Sequence, residues 1–348
     1  MAASVRRLLR EHPAIVLPAV AIIAVGALTL VSYQAGFDRV QDALPHFHPG
    51  WLVLAAAGQV VGMAAYVIAY RHVVAHGDGP RISGGLAARL VAAGFGPVAV
   101  GGGFAFDRRA LRNLCGDRGA LVRVAALGAL EWGLLAPAAC ACAIALLVEG
   151  ARHIQISVLW SWIIAVPLGF AIALPIASPG RVKRMRNAKG WRRALGSTLE
   201  GALILRRFAE RPHRSLAPIV GITVYWAADV ASLYAGLRAF SLSPTFAQVV
   251  LAYATGYAAT RRSLPLGGAG LTEVLLALSV HWLGFPLAAA IPGVAAYRLF
   301  NLFLPTVPAL FTHGRLRPLL SGQVRCDMHG RPLWPENGDA VLGNAADA

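Results

Sequence analysis

Long apolar segments, separated by short polar stretches, dominate the chain. Six of them are close to the roughly 20 residues that a helix needs to cross a bilayer. These predicted spans lie at 13–33, 51–70, 124–148, 157–178, 216–240 and 286–310. Two further stretches, about 84–120 and 246–284, are apolar but interrupted by glycine, proline and charged residues. The pattern predicts an all-α polytopic membrane protein with about six full transmembrane helices and two broken, re-entrant helical hairpins.

The composition is consistent with lipid as the solvent for much of this surface. Of the 348 residues, 57% are hydrophobic and only 14% are charged, whereas a soluble domain carries about 25% charged residues. The formal net charge of +16 lies mainly in arginine-rich stretches between the apolar runs. That distribution follows the positive-inside rule for membrane proteins. It therefore argues against a nucleic-acid partner, which requires a basic face.

The charges of the loops give the spans one consistent orientation. Three arginines precede the first span and the loop 179–215 is strongly basic, so both are predicted to be cytoplasmic. The segments 34–50 and 149–156 carry few basic residues and are predicted to lie outside. We therefore expect a multi-pass protein of the cell (plasma or inner) membrane with both termini in the cytoplasm. The tail from about residue 313 is polar and is expected to be poorly ordered.

Two glycine-rich runs, one in each broken stretch, match each other. The run 101–107 (GGGFAFD) aligns without gaps on 267–273 (GGAGLTE), a shift of 166 residues. The same shift carries 51–70 onto 217–236. An odd number of crossings in the first half turns the second half upside down relative to the first. The sequence therefore predicts the inverted repeat that many transporters share.

This repeat divides the chain into two halves and a tail. The predicted parts are a first half 1–155 with its hairpin at about 84–120, a second half 156–312 with the basic cytoplasmic loop 179–215 and a hairpin at about 246–284, and a cytoplasmic tail 313–348. The re-entrant turns are assigned to Pro97, Gly101, Gly102, Gly103, Pro265, Gly267, Gly268 and Gly270. Broken backbone at membrane depth must be packed in protein or line a wet cavity. We expect a cavity at the tips, with close helix packing through small residues as the alternative.

Several ionisable side chains fall deep in the predicted spans or beside the tips. Such a charge costs about 2.5–3.5 kcal/mol to insert at mid-bilayer, so each one needs a partner or a function. A guanidinium group matches phosphate oxygens, and a carboxylate suits a cationic headgroup or an arginine. The candidate residues for binding a lipid headgroup are Asp107, Glu131, Arg261, Arg262, Glu273 and Arg298.

Two arrangements of these charges are open. In one, Arg298 and the pair Arg261–Arg262 form a phosphate clamp, with a helix that starts after Gly270 adding its positive end. In the other, Glu131 and Arg298, which lie at nearly corresponding places in the two halves, form a structural ion pair. The two adjacent arginines could also lie at the membrane interface with their charged ends in water.

No catalytic or cofactor motif is recognisable in the sequence. The four cysteines lack metal-ligand spacing. The glycines at 101–103 are not followed by the lysine and hydroxyl residue of a phosphate loop. We therefore expect neither a metal nor a cofactor, and we do not expect an enzyme.

The second tip carries a recognisable signature. The run 265–273 (PLGGAGLTE), followed by Gly284 and then Tyr297-Arg298, resembles the signature of the lysylphosphatidylglycerol synthase transmembrane region family. That region is the flippase part of the multiple peptide resistance factor. The resemblance covers most of residues 10–315.

In the first half, a set of residues resembles the weaker partner motif of that family: Arg71, Pro97, Gly102-Gly103 and Arg109. The resemblance implies movement of an aminoacylated or other anionic phospholipid between leaflets. It also implies that Glu273 and Arg298 lie in the headgroup cavity.

The leading hypothesis is therefore a lipid flippase or scramblase. The alternatives are a non-catalytic membrane partner or scaffold for a separate lipid or cell-envelope synthase, and a membrane enzyme acting on a lipid phosphate. The expected partners are a membrane phospholipid, a separate synthase and a second copy of the chain. No aminoacyl-transferase domain is expected in this chain, so it is not expected to make the lysyl-lipid itself.

Overall fold

A computed structural model describes residues 13–76, 79–96, 99, 101–150, 153–186, 191–210, 212–258, 262, 264–322, 325–326 and 332–333. Its α-helices are α1 Pro13–Ala35, α2 Phe37–Ala43, α3 Gly50–Ala75, α4 Gly84–Phe95, α5 Gly103–Val148, α6 Ile156–Ile176, α7 Pro179–Arg186, α8 Trp191–Glu210, α9 Pro212–Arg238, α10 Phe246–Tyr253, α11 Leu271–Trp282, α12 Leu287–Phe303 and α13 Thr306–Ser321. Leu44–His46 and Pro265–Gly268 form 3₁₀ turns, and Ala254–Ala258 forms a π-helical turn. Two short strands, β1 Arg325–Cys326 and β2 Pro332–Leu333, pair antiparallel.

Six of the described helical segments are long and apolar enough to cross a membrane. They are Val16–Ala35, Gly50–Ala75, Gly103–Val148, Ile156–Ile176, Leu216–Arg238 and Leu287–Thr312. Large apolar side chains on them stay exposed, for example Ile22 at 72% and Val53 at 72%. Exposed apolar surface of this extent is expected where lipid surrounds the protein. The predicted all-α polytopic fold is confirmed.

Helices α3 and α9 form the centre of the fold and pack antiparallel. Near one end of the pair, Gly58 lies against Ala228 and Ser232. Towards the other end, Gly221 lies against Ala65 and Ala69. Residue numbers thus rise along one helix as they fall along the other. These are the segments that the 166-residue shift relates, and an inverted repeat requires this antiparallel relation.

The two glycine-broken stretches form pairs of short helices joined by non-helical tips. In the first, α4 precedes the tip, and α5 follows it but bends at Cys115–Gly116, where Gly116 has a φ of 73°. The first stretch therefore contributes a short helix over 103–114, and a long span starts at 117 rather than after 120. In the second, α10 and its π turn precede the tip and α11 follows it. Helices of 8 to 12 residues are about 12–18 Å long, too short to cross a ~30 Å hydrocarbon core.

Two regions that the charge pattern treated as loop or tail are helical. The basic segment 179–215 contains α7 and α8, and α8 packs on α5, where Gly133 lies against Leu205 and Gly201 lies against Ala129. The chain beyond 313 continues as α13 to Ser321, so the expectation of a poorly ordered tail from that point is wrong. The reason is an apolar face: Leu316 and Leu319 are buried, and the Asn113 amide donates to the carbonyl oxygen of Leu319 at 2.6 Å.

Replacing Gly58 by alanine tests the packing of the central pair. An added Cβ would lie 2.8 Å from the carbonyl oxygen of Ala228 and closer still to the hydroxyl of Ser232. Overpacking of this kind costs about 1–3 kcal/mol, so the melting temperature in detergent should fall.

The matched control is Gly26→Ala in α1, where nothing lies within 4 Å of the added Cβ. Alanine is a better helix former than glycine by up to ~1 kcal/mol, so this variant should melt at the same or a higher temperature. Equal destabilisation by the two substitutions would contradict the close α3–α9 contact.

Candidate functional site

The tips of the two helix pairs meet inside the protein. The amide of Phe104, on the first tip, donates to the carbonyl oxygen of Arg262 on the second at 3.3 Å. A Cβ at Gly103 would lie 3.1 Å from Nε of Arg262 and would collide with the carbonyl oxygen of Gly94. Glycine at this position therefore lets the first tip pack directly on the backbone of α4 and close to the side chain of Arg262. The predicted site residue Arg261 and the predicted turn residue Pro97 lie outside the described residues.

Arg262 forms ion pairs with two carboxylates from the first half. Its NH1 donates to Glu131 Oε1 at 2.9 Å, and its NH2 donates to Asp107. Glu131 also accepts a hydrogen bond from the hydroxyl of Tyr66 at 2.5 Å, and Asp107 accepts one from Tyr70 at 3.3 Å. All five side chains are buried. We call this group the Arg262 cluster.

Aromatic rings surround the guanidinium of Arg262. Its central carbon lies 5.0 Å from the ring centre of Tyr66, 4.7 Å from that of Phe95 and 4.6 Å from that of Phe104. A cation over an aromatic face gains about 0.5–2 kcal/mol, more when water is excluded. Its Nε has no hydrogen-bond partner among the described residues. The cluster therefore offers carboxylates and ring faces, a combination that recognises organic cations.

A second ion pair lies at the start of α11. Glu273 Oε1 accepts a hydrogen bond from Nε of Arg298 at 2.7 Å, while its other oxygen accepts one from the amide of Gly270 at 2.7 Å. Glu273 thus both caps the helix and neutralises the arginine. Arg298 also donates to Asn301 at 2.9 Å and to the carbonyl oxygen of Gly267 at 3.4 Å. Both charged side chains are buried.

Asp229, in the middle of α9, accepts hydrogen bonds from four side chains of the described part of the chain. Its carboxylate accepts them from Gln59 at 2.5 Å, Tyr253 at 2.6 Å, Tyr297 at 3.0 Å and Asn301 at 3.1 Å. Because Asn301 also contacts Arg298, this carboxylate and the Arg298–Glu273 pair belong to one group. We call it the Arg298 cluster.

A row of aromatic side chains connects the two clusters. Tyr66 contacts Tyr225 at a centroid distance of 5.1 Å, Tyr225 contacts Trp226 at 4.7 Å, and Trp226 contacts Tyr253 at 5.4 Å. The indole N–H of Trp226 donates to the backbone oxygen of Glu131 at 3.0 Å. The two clusters therefore form one continuous buried network across the centre of the fold.

The second tip has an unusual backbone that only a few residue types tolerate. Gly267, Gly268 and Gly270 have φ values of 64°, 71° and 86°, where a side chain causes strain. Leu266 has a φ of 57°, and a non-glycine residue in that region costs of order 1–3 kcal/mol. Pro265 begins the 3₁₀ turn, and on the first tip Gly102 has a φ of 90°. The φ angles of Gly101 and Gly103 are not positive.

The ion pairs differ from those that the sequence suggested. A Glu131–Arg298 pair is not formed: Glu131 pairs with Arg262, and Arg298 pairs with Glu273. Arg262 and Arg298 lie in separate clusters, and each is ion-paired with carboxylates of its own cluster. The tips are closely packed rather than lining an open cavity at this point, since Asp107 and Glu273 have no exposed surface.

Sequence reasoning missed the uncharged members of the network. They are Gln59, Tyr66, Tyr70, Tyr253 and Asn301. A usable signal was present, because each is a hydrogen-bonding residue within an otherwise apolar helix. Among the described residues, no group of three or more His, Cys, Asp or Glu could hold a metal ion.

The family of the protein follows from a comparison with known families. Residues 15–309 match the lysylphosphatidylglycerol synthase TM region. Since this match spans most of the chain, the protein belongs to that family, which confirms the resemblance of the second tip. Its function is accordingly related to membrane lipids. No curated protein gives a match to the chain.

A double-mutant cycle tests whether the Arg298–Glu273 pair is coupled as the geometry indicates. Removing one partner leaves the other charge buried and unpaired, which costs about 3–5 kcal/mol. Arg298→Gln and Glu273→Gln should each strongly destabilise the protein in detergent, and the double variant should be much less destabilised than the sum.

The exposed pair Arg206–Glu210, at 3.0 Å with side chains 61% and 56% exposed, serves as the control cycle. An exposed pair of this spacing contributes about 0.3–0.5 kcal/mol. Additive effects at Arg298 and Glu273, resembling the control, would contradict a buried ion pair there.

Proposed function

We propose that this protein moves the headgroup of an anionic or aminoacylated phospholipid between the leaflets of the membrane, by flipping or scrambling. The observation that carries the proposal is the ion pairing of Arg262, on one broken tip, with Asp107 and Glu131 of the other half. This places fixed charges of both signs where the two tips meet. The proposed role is transport, with no chemical step on the lipid.

The charges of the network complement those of such a headgroup. A phosphodiester is negative, and arginine binds its oxygens with two parallel hydrogen bonds. An aminoacyl group adds an ammonium, which carboxylates and aromatic faces bind. An arginine released from its carboxylates would thus bind the phosphate, while Asp107 and Glu131 bind the ammonium. With an aminoacylated headgroup, each charge exchanges one partner for another and is never left unpaired in the membrane.

Exchange of partners also keeps the energetic cost of opening moderate. Separating a buried ion pair without replacement costs about 3–5 kcal/mol, whereas a headgroup that enters between the partners restores both contacts. The strained Leu266 and the glycines beside it make the second tip the part of the path that is easiest to rearrange. In the proposed cycle, the closely packed tips are the state in which neither leaflet reaches the network.

The proposed transport cycle uses the antiparallel centre of the fold. In transporters with inverted repeats, one half rocks against the other and exposes a fixed midplane site to each side in turn. Helices α3 and α9 lie where such halves would meet, and the clusters flank this pair. The orientation with both termini in the cytoplasm is part of the proposal.

Transfer of labelled lipid in proteoliposomes tests the function. Wild-type protein should speed the movement of fluorescent anionic phospholipid across the bilayer above the rate in protein-free vesicles. Arg262→Gln should lower the protein-dependent rate by roughly tenfold or more, since a barrier increase of about 1.4 kcal/mol has that effect.

The matched control is Arg206→Gln, which removes the same charge from an exposed position on α8 and should leave the rate unchanged. Thermal unfolding and size-exclusion profiles select variants that fold. A wild-type rate equal to that of empty vesicles, or an undiminished rate in folded Arg262→Gln, would refute the proposed function.

A further inference from the structure

A polar hollow lies away from the central network, at the end of the α3–α9 pair where α3 begins and α9 ends. Its volume is about 840 Å³, and its lining includes His48, Trp51, Leu54, Arg238 and Ser243. The amide of His48 donates to the carbonyl oxygen of Ala239 at 2.8 Å, which fixes the two helix ends together. The charge pattern of the loops predicts that this end of the pair faces outside.

Arg238, in the last turn of α9, is the cation of this hollow. Its guanidinium carbon lies 5.3 Å from the ring centre of Trp51, and its NH1 donates to the hydroxyl of Ser243. Trp51 is in turn held edge-on against Tyr234 at 5.9 Å. Among the described residues, no carboxylate pairs with Arg238, and its buried Nε has no hydrogen-bond partner.

An arginine at a helix C-terminus often has only a structural role within its own helix. It interacts with the dipole for about 0.3–1 kcal/mol, or it extends its charged end to water. Neither role explains the buried Nε, because a buried donor without an acceptor costs about 1–3 kcal/mol. A bound anion would supply that acceptor and neutralise the guanidinium at the same time.

The surroundings of the hollow favour a phospholipid as the source of this anion. Apolar side chains beside it are exposed: Val53 at 72%, Leu54 at 45% and Phe47 at 41%. Arginine, histidine and serine side chains suit a phosphodiester and its polar headgroup. The adjoining apolar side chains suit an acyl chain. A free phosphate would use the first set of contacts and leave the second exposed.

We propose that the Arg238 hollow is a second binding site, for the phosphodiester of an anionic phospholipid. Binding at this place is independent of the central network. We also infer that a headgroup enters or leaves the transport path at this site, and this part of the inference rests on the proposed function.

Native mass spectrometry of the full-length protein, with phosphatidylglycerol or phosphatidylcholine titrated into the micelles, tests the binding. Arg238→Gln should weaken phosphatidylglycerol binding by roughly tenfold, the effect of losing one charge-assisted hydrogen bond, without changing phosphatidylcholine binding. Arg39→Gln, at an exposed arginine of α2 on the same predicted side, should behave as wild type. Equal phosphatidylglycerol binding by wild type and folded Arg238→Gln would overturn the proposal.

Two further measurements decide the source of the phosphate and guard against a variant that fails to fold. Glycerol 3-phosphate added in excess should not displace the bound lipid; full displacement would identify a site for soluble phosphate and overturn the lipid assignment. Phosphatidylglycerol with a photoreactive headgroup should label wild-type protein within residues 47–54 or 238–243, and labelling confined to other segments would also overturn it.

The same experiment separates this site from the central one. Arg262→Gln should retain the Arg238-dependent binding even though it transports lipid slowly. If wild-type protein moves no lipid yet loses phosphatidylglycerol on Arg238→Gln, the binding site stands and the proposed function fails. If wild-type protein transports lipid but Arg238→Gln binds phosphatidylglycerol normally, the proposed function stands and the second binding site is refuted.

Discussion

The burial of Arg262 is the constraint on which the rest of the structure depends. A guanidinium remote from water in a membrane protein must find its counter-charges inside the fold. Arg262 finds two, Asp107 and Glu131, and both come from the other half of the chain. Three aromatic rings of the described residues also lie around it. This single side chain therefore fixes the second tip against the first and determines where the two helix pairs meet.

The broken backbone and the buried charges support each other. Non-helical backbone at membrane depth needs polar partners, and the network supplies them: Arg298 reaches the carbonyl oxygen of Gly267, and Glu273 accepts from the amide of Gly270. Conversely, only the turns at the tips allow these charges to approach one another. Close packing of the glycines excludes water and strengthens every ion pair in the network. A rearrangement of the tips must therefore change the charge contacts as well, which is the physical basis for coupling movement to headgroup binding.

The sequence predicted the helices and the broken segments more accurately than it predicted the contacts between their charged side chains. Apolar runs and glycine-rich tips are local signals, so the spans and the two broken stretches could be located from them. The partner of Glu131 could not be identified from local signals, because it depends on how segments 131 residues apart meet in space. The aligned positions suggested Arg298, yet residues related by a repeat touch only where they lie near the repeat axis. The part of helix α13 beyond residue 313 was assigned to the tail because the C-terminal segment is polar as a whole, while the apolar face of the helix carries Leu316 and Leu319. The role of Tyr66 was missed because a single tyrosine in an apolar helix is more often a packing residue.

An experimental structure in nanodiscs that contain an aminoacylated anionic phospholipid would test the central claim most directly. The account predicts headgroup density at the junction of the tips, with its phosphate beside Arg262 and its ammonium beside Asp107 or Glu131, and with the arginine moved beyond ion-pairing distance of those carboxylates. A structure in which Arg262 keeps both ion pairs while lipid headgroups occupy only the outer surface of the protein would contradict it.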